Sequence, residues 1–503
     1  MKNHLRNTFF INSLIIIITN FIIKFLGLIN KITITRLLGT SGMSLYVLSF
    51  PTIMLFVSMA SFSLNITISK LVSEAIATKI YSPKKILKYS FLYTFIIALV
   101  IMIIYIILLK PLTIIFLKNE DLYYPLLTGA PLILLVGLSD GLKGYFIGLK
   151  KVNIASFASL IEQIGRTSFS ILSLIIMLPF GLIPATTFCL LSLSFGELCT
   201  IIFTLIKIKK YPIPDYNNTS NEKKAIFANS IPNTFSRLIG NFTYFLEPIL
   251  YTFALGTLGY STIDIQTNYT IIDAYTIPLL TFIVFLPQAL STAMIPNISE
   301  AYALKKFTTI HYYIRKVLTF TFIPTIILSV NLFINAKEFM LLIYDTTEGS
   351  EIIKYFVWFF IFYYLQIPIV AILQAIGMSK KVFITSTINN FLRTLLLLIF
   401  SLNKIINFNS LILAITISLI IGFIINLYQL LKSTHFNFNI RNIITLLLIT
   451  IIATSIGILL KAYNINYLFI LFITSCIVIL LSLWQDFIWI ESIKNILKKR
   501  KPN

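Results

Sequence analysis

Charge embedded in apolar sequence is the feature of this chain that could do chemistry. A basic or acidic side chain at the centre of a membrane-spanning helix costs ~2.5–3.5 kcal/mol on insertion scales, so it faces a cavity, water or a partner. In the first long apolar run, Asn20, Lys24, Lys31 and Thr35 stand at i, i+4, i+11 and i+15, which is one face of an α-helix. Asn30 adjoins that face and Arg36 lies beyond Lys31. The pattern reads as a polar, cationic stripe lining a cavity; for Lys31 and Arg36, snorkelling to the outer headgroups is the competing explanation. Glu162 and Arg166 are four apart and can pair on one helix face. Arg237 and Glu247 are ten apart, too far to pair along a helix, and Pro248 after Glu247 frees a backbone carbonyl and permits a kink. Arg237 therefore reads as cavity-lining. Glu162, Glu247 and Asp273 are the carboxylates that could couple transport to protons, although a fixed structural partner would explain each equally well. Arg393, Asp140, Lys143 and Glu197 divide evenly between cavity and helix-packing roles.

Several facing Lys and Arg groups suit an anionic substrate such as a phosphate or pyrophosphate, because Arg offers a fork to the oxygens and Lys a point charge. Enzymatic signatures are missing. There is no G-x-x-x-x-G-K-[ST] and no G-x-G-x-x-G, so no nucleotide cradle is expected. His4, His311 and His435 fall in expected cytoplasmic segments and read as solvated loop residues. Cys189, Cys199 and Cys476 lie in apolar runs and read as buried thiols, without disulfide or zinc spacing. We therefore expect no enzyme, no cofactor and no metal site. Transport would be driven by an ion gradient, the membrane potential or the substrate's own gradient.

The elements that must position these groups follow from composition. The chain has 503 residues and a formal charge of +22, yet 57% of it is hydrophobic and 12% charged; its mean hydropathy is +0.91. Soluble proteins carry roughly 25% charged residues. A nucleic-acid binder would not be this apolar, and a disordered chain would lack the Ile, Leu and Phe. What remains is an all-α polytopic membrane protein. Apolar runs fall at Phe9–Ile29, Leu45–Ile68, Tyr89–Leu109, Leu126–Ile147, Phe157–Leu178, Pro184–Ile206 and Ala225–Thr252. A second series falls at Tyr269–Ile295, Val317–Ala336, Lys354–Ile376, Ile384–Leu402, Leu411–Leu431, Ile443–Leu460 and Tyr467–Ile490. At ~20 residues per crossing these make about fourteen helices. The expected organisation is a six-helix lobe over 1–206, a cytoplasmic linker over 207–224, a second six-helix lobe over 225–431, and two further helices with a basic tail over 432–503.

Orientation follows from the basic residues. With the N-terminus in the cytoplasm, 27 of the 40 Lys and Arg fall in cytoplasmic segments and 8 in outer ones. The remaining 5 are intramembrane: Lys24, Lys143, Arg166, Arg237 and Arg393. Both termini are thus expected inside a multi-pass protein of the cell membrane. An internal repeat is also visible. Lys24-Phe25-Leu26-Gly27 is echoed by Arg237-Leu238-Ile239-Gly240, and Val72-Ser73-Glu74-Ala75 by Ile298-Ser299-Glu300-Ala301. Gly148 with Lys150-Lys151-Val152 is echoed by Gly377 with Lys380-Lys381-Val382, and Arg166 by Arg393. Units of six helices keep the same orientation, as in parallel-repeat transporters. Pro51, Pro248, Pro278, Pro287, Pro296 and Pro368 could bend helices for a rocking motion.

These residues resemble the stage V sporulation protein B group, in the polysaccharide-transporter branch of the MOP flippase superfamily. The likeness rests on Lys24 to Lys31, Arg36-Leu37-Leu38-Gly39, Pro51, Ile68-Ser69-Lys70, Lys143-Gly144-Tyr145-Phe146, Ile161-Glu162-Gln163, Arg166, Glu247-Pro248, Pro278-Leu279-Leu280 and Leu373 to Gly377. The resemblance implies two six-helix lobes around a V-shaped central cavity, two extra helices forming a lipid-tail groove, and alternating access. It also implies a lipid-linked anionic oligosaccharide as substrate, such as lipid II for spore cortex peptidoglycan; membrane lipids are further expected partners, cell-wall synthases are partners in the scaffold alternative, and composition leaves no nucleic acid to expect. In related lipid II flippases, basic residues of the first helix contact the diphosphate; the matching positions here are Lys24 and Asn30, with Lys31 adjacent. Asn30 departs from a basic residue, and the second run is apolar after Pro51 where the relatives are basic. The substrate-binding candidates are Lys24, Asn30, Lys31, Arg36, Arg166, Arg237 and Arg393. Export of another lipid-linked glycan such as a teichoic-acid or capsule repeat, cation-coupled multidrug antiport, and a scaffold that recruits cell-wall synthases are the alternatives.

Overall fold

The computed structural model describes residues 2–210, 213–216, 221–437 and 440–484, and no strand occurs among them. Helix α1 (Lys2–Ala60) holds the first apolar run and most of the second, and breaks between them at Gly39 (φ 61°, ψ −173°). After α1 the chain passes through Phe62 and Ser63, both left-handed at φ 49° and 48°, and resumes as α2 (Leu64–Thr78). Next come α3 (Pro83–Pro111), α4 (Tyr123–Leu127), α5 (Gly129–Gly148), α6 (Val152–Met177) and α7 (Leu182–Lys210). Asn221 caps α8 (Glu222–Thr257), its side chain accepting from the Lys224 amide.

The eighth apolar run is broken rather than continuous. It comprises α9 (Thr262–Thr270), a π-helical stretch Ile271–Thr276, α10 (Ile277–Leu280) and α11 (Phe285–Ala303). Pro278 and Pro287 cannot donate to the preceding turn, which accounts for the interruptions. Then follow α12 (Phe307–Tyr344), α13 (Ser350–Phe356), α14 (Phe360–Ala375), α15 (Ser379–Ser401), α16 (Ser410–Thr434), α17 (Ile440–Ala462) and α18 (Tyr467–Trp484). The segments Ser350–Phe356 and Phe360–Ala375 meet at a 60° bend.

The outer faces are lipid-facing. Pro83–Phe116 is strongly apolar, yet only 22% of its most apolar stretch is buried in the protein; Leu92, Phe95, Ile103 and Ile107 point outward. A soluble protein would not expose such a band. Among the described residues, nine helices are long and apolar enough to cross a membrane, or up to eleven if each bent pair is one span. The number is lower than the expected fourteen partly because Phe21–Ile76 counts as one span although it holds two runs, and Tyr467–Leu483 is short.

Contacts divide the chain into two compact units, one of Met1–Thr270 with Ser401–Phe408, the other of Ile271–Phe400 with Asn409–Asn503. By contact, then, α8 and α9 belong with the helices before them, whereas the sequence repeat divides the chain within 207–224. In the first unit, α2, α3 and α5 share a core of Ile68, Leu71, Val72, Ile86, Leu87, Tyr145 and Phe146. Close approach replaces the hydrophobic drive that lipid removes. A Cβ at Gly144 would stand 2.5 Å from the Asn65 carbonyl oxygen, so only glycine lets α5 lie this near α2. In the second unit, α11, α12, α14 and α16 enclose Ile298, Ile314, Ile369, Leu373 and Leu430. A separate core, including Ile326, Val330, Ile449, Ala453, Ile470 and Val478, joins α12 to α17 and α18.

The histidine expectation is corrected here. His311 sits within α12, not in a loop, and its Nε2 lies 2.7 Å from the Thr434 carbonyl oxygen. His435 is the left-handed cap of α16. The Cys189 thiol is buried as expected, while those of Cys199 and Cys476 are half-buried.

Candidate functional site

The densest chemistry in the first unit is a charge cluster where α5, α6 and α7 meet. Arg166 Nη2 donates to Glu162 Oε1 at 2.7 Å, along the i, i+4 spacing of α6. The other carboxylate oxygen, Glu162 Oε2, accepts from Lys143 Nζ of α5 at 3.0 Å. Lys143 also lies 3.5 Å from Asp140 Oδ1, one turn earlier on α5. The side chains of Lys143 and Glu162 are 11% and 15% exposed. Glu197, on α7, completes the cluster: it is 6% exposed and interacts electrostatically with Lys143 and Glu162. Its Oε2 is buried without a hydrogen-bond partner among the described residues. The backbone of α7 reaches this depth because position 196 is glycine; a Cβ there would stand 2.9 Å from the Glu162 carbonyl oxygen and 3.3 Å from Arg166 Cβ.

Helix α1 crosses α6 beside this cluster. A Cβ at Gly27 would stand 3.8 Å from Gln163 Nε2. Lys24 lies three residues before Gly27 and Lys31 four after it, so each is about one turn from the crossing. Gln163 is flanked in turn by Glu162 and Arg166. Lys24 and Arg36 are exposed, and Lys31 is half-buried. Asn30 is buried, with Oδ1 unpartnered among the described residues. Thr35 donates to the Lys31 carbonyl at 2.7 Å and is buried, so the expected polar stripe turns inward at its outer end. The side chain of Asn20 lies outside the described residues.

The remaining candidates are placed separately. Arg237 of α8 is exposed, and its Nη1 donates to Ser61 Oγ at 3.3 Å. That contact is one end of a polar seam between the broken second run and α8. Thr234 Oγ1 meets Ser63 Oγ at 3.4 Å, Ser230 Oγ meets Thr67 Oγ1 at 3.0 Å, and Lys70 Nζ donates to Asn229 Oδ1 at 2.7 Å. The seam was not read from the sequence; its partners run in opposite order along the two segments, Ser61, Ser63, Thr67 and Lys70 against Arg237, Thr234, Ser230 and Asn229, but at unequal spacings that leave no pattern. Two consecutive left-handed residues cost of order 1–3 kcal/mol each, and such strain gathers where chains move. Glu247 is buried in α8. In the second unit, Asp273 is half-buried in the π-helical stretch. Arg393 lines a cavity of about 460 Å³ with Tyr363, Gln366, Asn389 and Asn390.

Residues 9–301 match the family described as polysaccharide biosynthesis protein, and residues 273–399 match the MatE family. The chain is 30% identical over 398 residues to stage V sporulation protein B of Bacillus subtilis (strain 168), with 77% of each protein covered. It is 25% identical over 398 residues to sporulation protein YkvU of the same organism, covering 75% of this chain and 84% of that protein. Its fold is similar to that of the lipid II flippase MurJ in an inward closed conformation, with a TM-score of 0.71 at 20% identity over 93% of this chain and 97% of the other. An inward-facing multidrug resistance MATE family transporter of the MOP superfamily aligns with a TM-score of 0.62 at 16% identity, covering 82% and 94%. The lipid-facing helices and the charge held between them are therefore those of a multi-pass membrane protein that belongs to the polysaccharide biosynthesis protein family and is a relative of stage V sporulation protein B.

Proposed function

We propose that this chain moves an undecaprenyl-pyrophosphate-linked cell-wall precursor, lipid II for spore cortex peptidoglycan, across the cytoplasmic membrane by alternating access. The observation that carries the reading is the meeting of α1 and α6, where Lys24 and Lys31 flank Gly27 in sequence and Gly27 lies against Gln163, about one helical turn from Arg166 on α6. Lysine ammonium groups in a partly dehydrated site balance a diphosphate that bilayer hydrocarbon would reject, and a guanidinium adds directed donors. Asn30, Arg36, Arg237 and Arg393 are the further candidate ligands. The polyprenyl tail stays in lipid beside α17 and α18, so the protein need shield only the head group.

In this reading both termini are cytoplasmic, 1–206 and 225–431 act as lobes joined by 207–224, and 432–503 serves the lipid tail. Glu162, Glu247 and Asp273 are candidates for coupling the cycle to an ion, and cell-wall synthases are candidate partners. A match to the MatE family over 273–399 raises the multidrug alternative, but the cationic face of α1 would repel small organic cations.

The test is flipping of fluorescent lipid II by the full chain in proteoliposomes. We expect flipping above protein-free vesicles and at least a tenfold loss in a Lys24→Ala plus Arg237→Ala double variant. Full activity in that variant would refute the binding assignment. Movement of a teichoic-acid or capsule precursor, but not of lipid II, would replace the substrate with another lipid-linked glycan.

A further inference from the structure

We propose that the cluster formed by α5, α6 and α7 is a proton site, with one exchangeable proton lodged on Glu197. The inventory carries the argument. Asp140, Glu162 and Glu197 supply three carboxyl groups; Lys143 and Arg166 supply two cations. Both cations are committed to Glu162, at 3.0 and 2.7 Å, and Asp140 stands 3.5 Å from the same lysine. Glu197 is attracted by this lysine but is repelled more strongly by Glu162. Its Oε2 is buried without a hydrogen bond of good geometry among the described residues, and the one hydroxyl that acts on this carboxyl is that of Ser139 on α5. An ionised oxygen in such a place is far costlier than a neutral acid.

Every element packed against α7 leads to the same count. Helix α6 brings Glu162 and Arg166, and α5 brings Asp140 and Lys143. The short α4 brings only Tyr123 and Tyr124. Helix α1 carries Lys24, Lys31 and Arg36; Lys24 and Arg36 are exposed, Lys31 is half-buried, and the charges that act most on Glu197 are those of Glu162, Lys143 and Asp140, not these three. On α7 itself the nearest titratable side chain is Cys199, whose Sγ would be 2.9 Å from a Cβ at Gly165. With the proton on Glu197 the five-residue cluster is neutral. When water enters, Glu197 gives the proton to it as hydronium and the cluster becomes −1, so the site can load on one side of a cycle and discharge on the other. This assignment needs no knowledge of the transported substrate and stands or falls apart from the flippase reading.

Infrared spectroscopy of the full chain in nanodiscs tests it through the carbonyl stretch of a protonated carboxylic acid. We expect such a band at neutral pH, its loss in Glu197→Gln with the fold retained, and its loss in Glu162→Gln as well. In the second variant two carboxylates remain for two cations, so Glu197 ionises and pairs with Lys143. An Asp264→Asn control, at an exposed site, keeps the band. A spectrum that Glu197→Gln leaves unchanged overturns the proposal. So does a Glu197-dependent band that survives Glu162→Gln. Failure of Glu197→Gln to fold also overturns it, because glutamine is the neutral isostere of the protonated acid.

Discussion

Replacing Lys143 with methionine tests whether the buried cluster holds its three helices together. The substitution keeps the length and apolar stem of the side chain and deletes the charge. It removes the 3.0 Å bond to Glu162 and the 3.5 Å contact with Asp140. At an effective dielectric of 20, two unit charges 3.0 Å apart attract by ~5.5 kcal/mol, much of it offset by the cost of desolvating both. Removing one member of a buried pair nevertheless costs about 3–5 kcal/mol, because the abandoned charge stays buried. Lys143→Met should therefore lower stability by about that amount. Glu162→Gln should cost less, about 1–2 kcal/mol, because Lys143 then turns to Asp140 and Glu197. The double variant leaves Arg166 facing Asp140 with Glu197 neutral, so it should be less damaged than the sum of the singles by about 1–3 kcal/mol. The assay is reversible denaturant unfolding of the four proteins in detergent, followed by tryptophan fluorescence and helical circular dichroism. Single effects that add to within ~0.5 kcal/mol would show that the two side chains do not act as a unit.

Gly144→Ala places a Cβ 2.5 Å from the Asn65 carbonyl oxygen, a backbone atom that cannot turn aside; we expect a loss of about 1–3 kcal/mol in the same unfolding assay, and an unaltered protein would refute the close approach of α5 to α2. Cysteines at Thr67 and Ser230, whose hydroxyl oxygens are 3.0 Å apart, should form a disulfide under mild oxidation. If the seam opens in each cycle, the linked protein loses flipping and regains it on reduction; full activity while linked would show that the seam is static. The Ser82 hydroxyl and then the Lys84 ammonium hold the Asp215 carboxyl below the usual carboxylate range. Its contribution is therefore complete above that range and disappears as pH falls through the lowered value. Amide exchange at Tyr216, whose N–H donates to Ser82 Oγ at 3.4 Å, should accelerate in acid beyond the intrinsic rate, and constant protection down to pH ~2 would refute the link.

What the sequence made legible was periodic or compositional. Glu162 and Arg166 could be paired on paper because i, i+4 is a property of one helix. The partner that turns this pair into a cluster, Lys143, lies on a different helix, and nothing in a single sequence gives the depth at which α5 meets α6. Glu197 was ambiguous for the same reason. Prolines announced the interruptions around Pro278 and Pro287, but the break at Ser61-Phe62-Ser63 has neither proline nor glycine to mark it. The seam with α8 was equally silent. Hydroxyls in membrane helices ordinarily bond to their own backbone, as Thr234 does to the Ser230 carbonyl at 2.7 Å, so a Ser or Thr does not signal a partner across the interface. His311 was misplaced because a hydropathy window finds only the apolar middle of a helix, and α12 begins ten residues before the run Val317–Ala336.

The cations that looked equivalent in the sequence are unequal in their freedom to bind. Lys143 is spent on Asp140 and Glu162, and its depth closes it to any large ligand. Arg166 is half-spent: Nη2 is held by Glu162 at 2.7 Å, while Nε is buried without a hydrogen-bond partner among the described residues. A phosphate that drew Arg166 away would have to compete with that carboxylate, and success would leave Glu162 with Lys143 alone. One cation would then face three carboxyl groups. Lys24, exposed on the face of α1 that crosses α6, carries no such obligation to the cluster. In the proposed cycle, first contact with an anionic head group belongs to α1, and engagement of Arg166 is the step through which that contact would be felt at the proposed proton site.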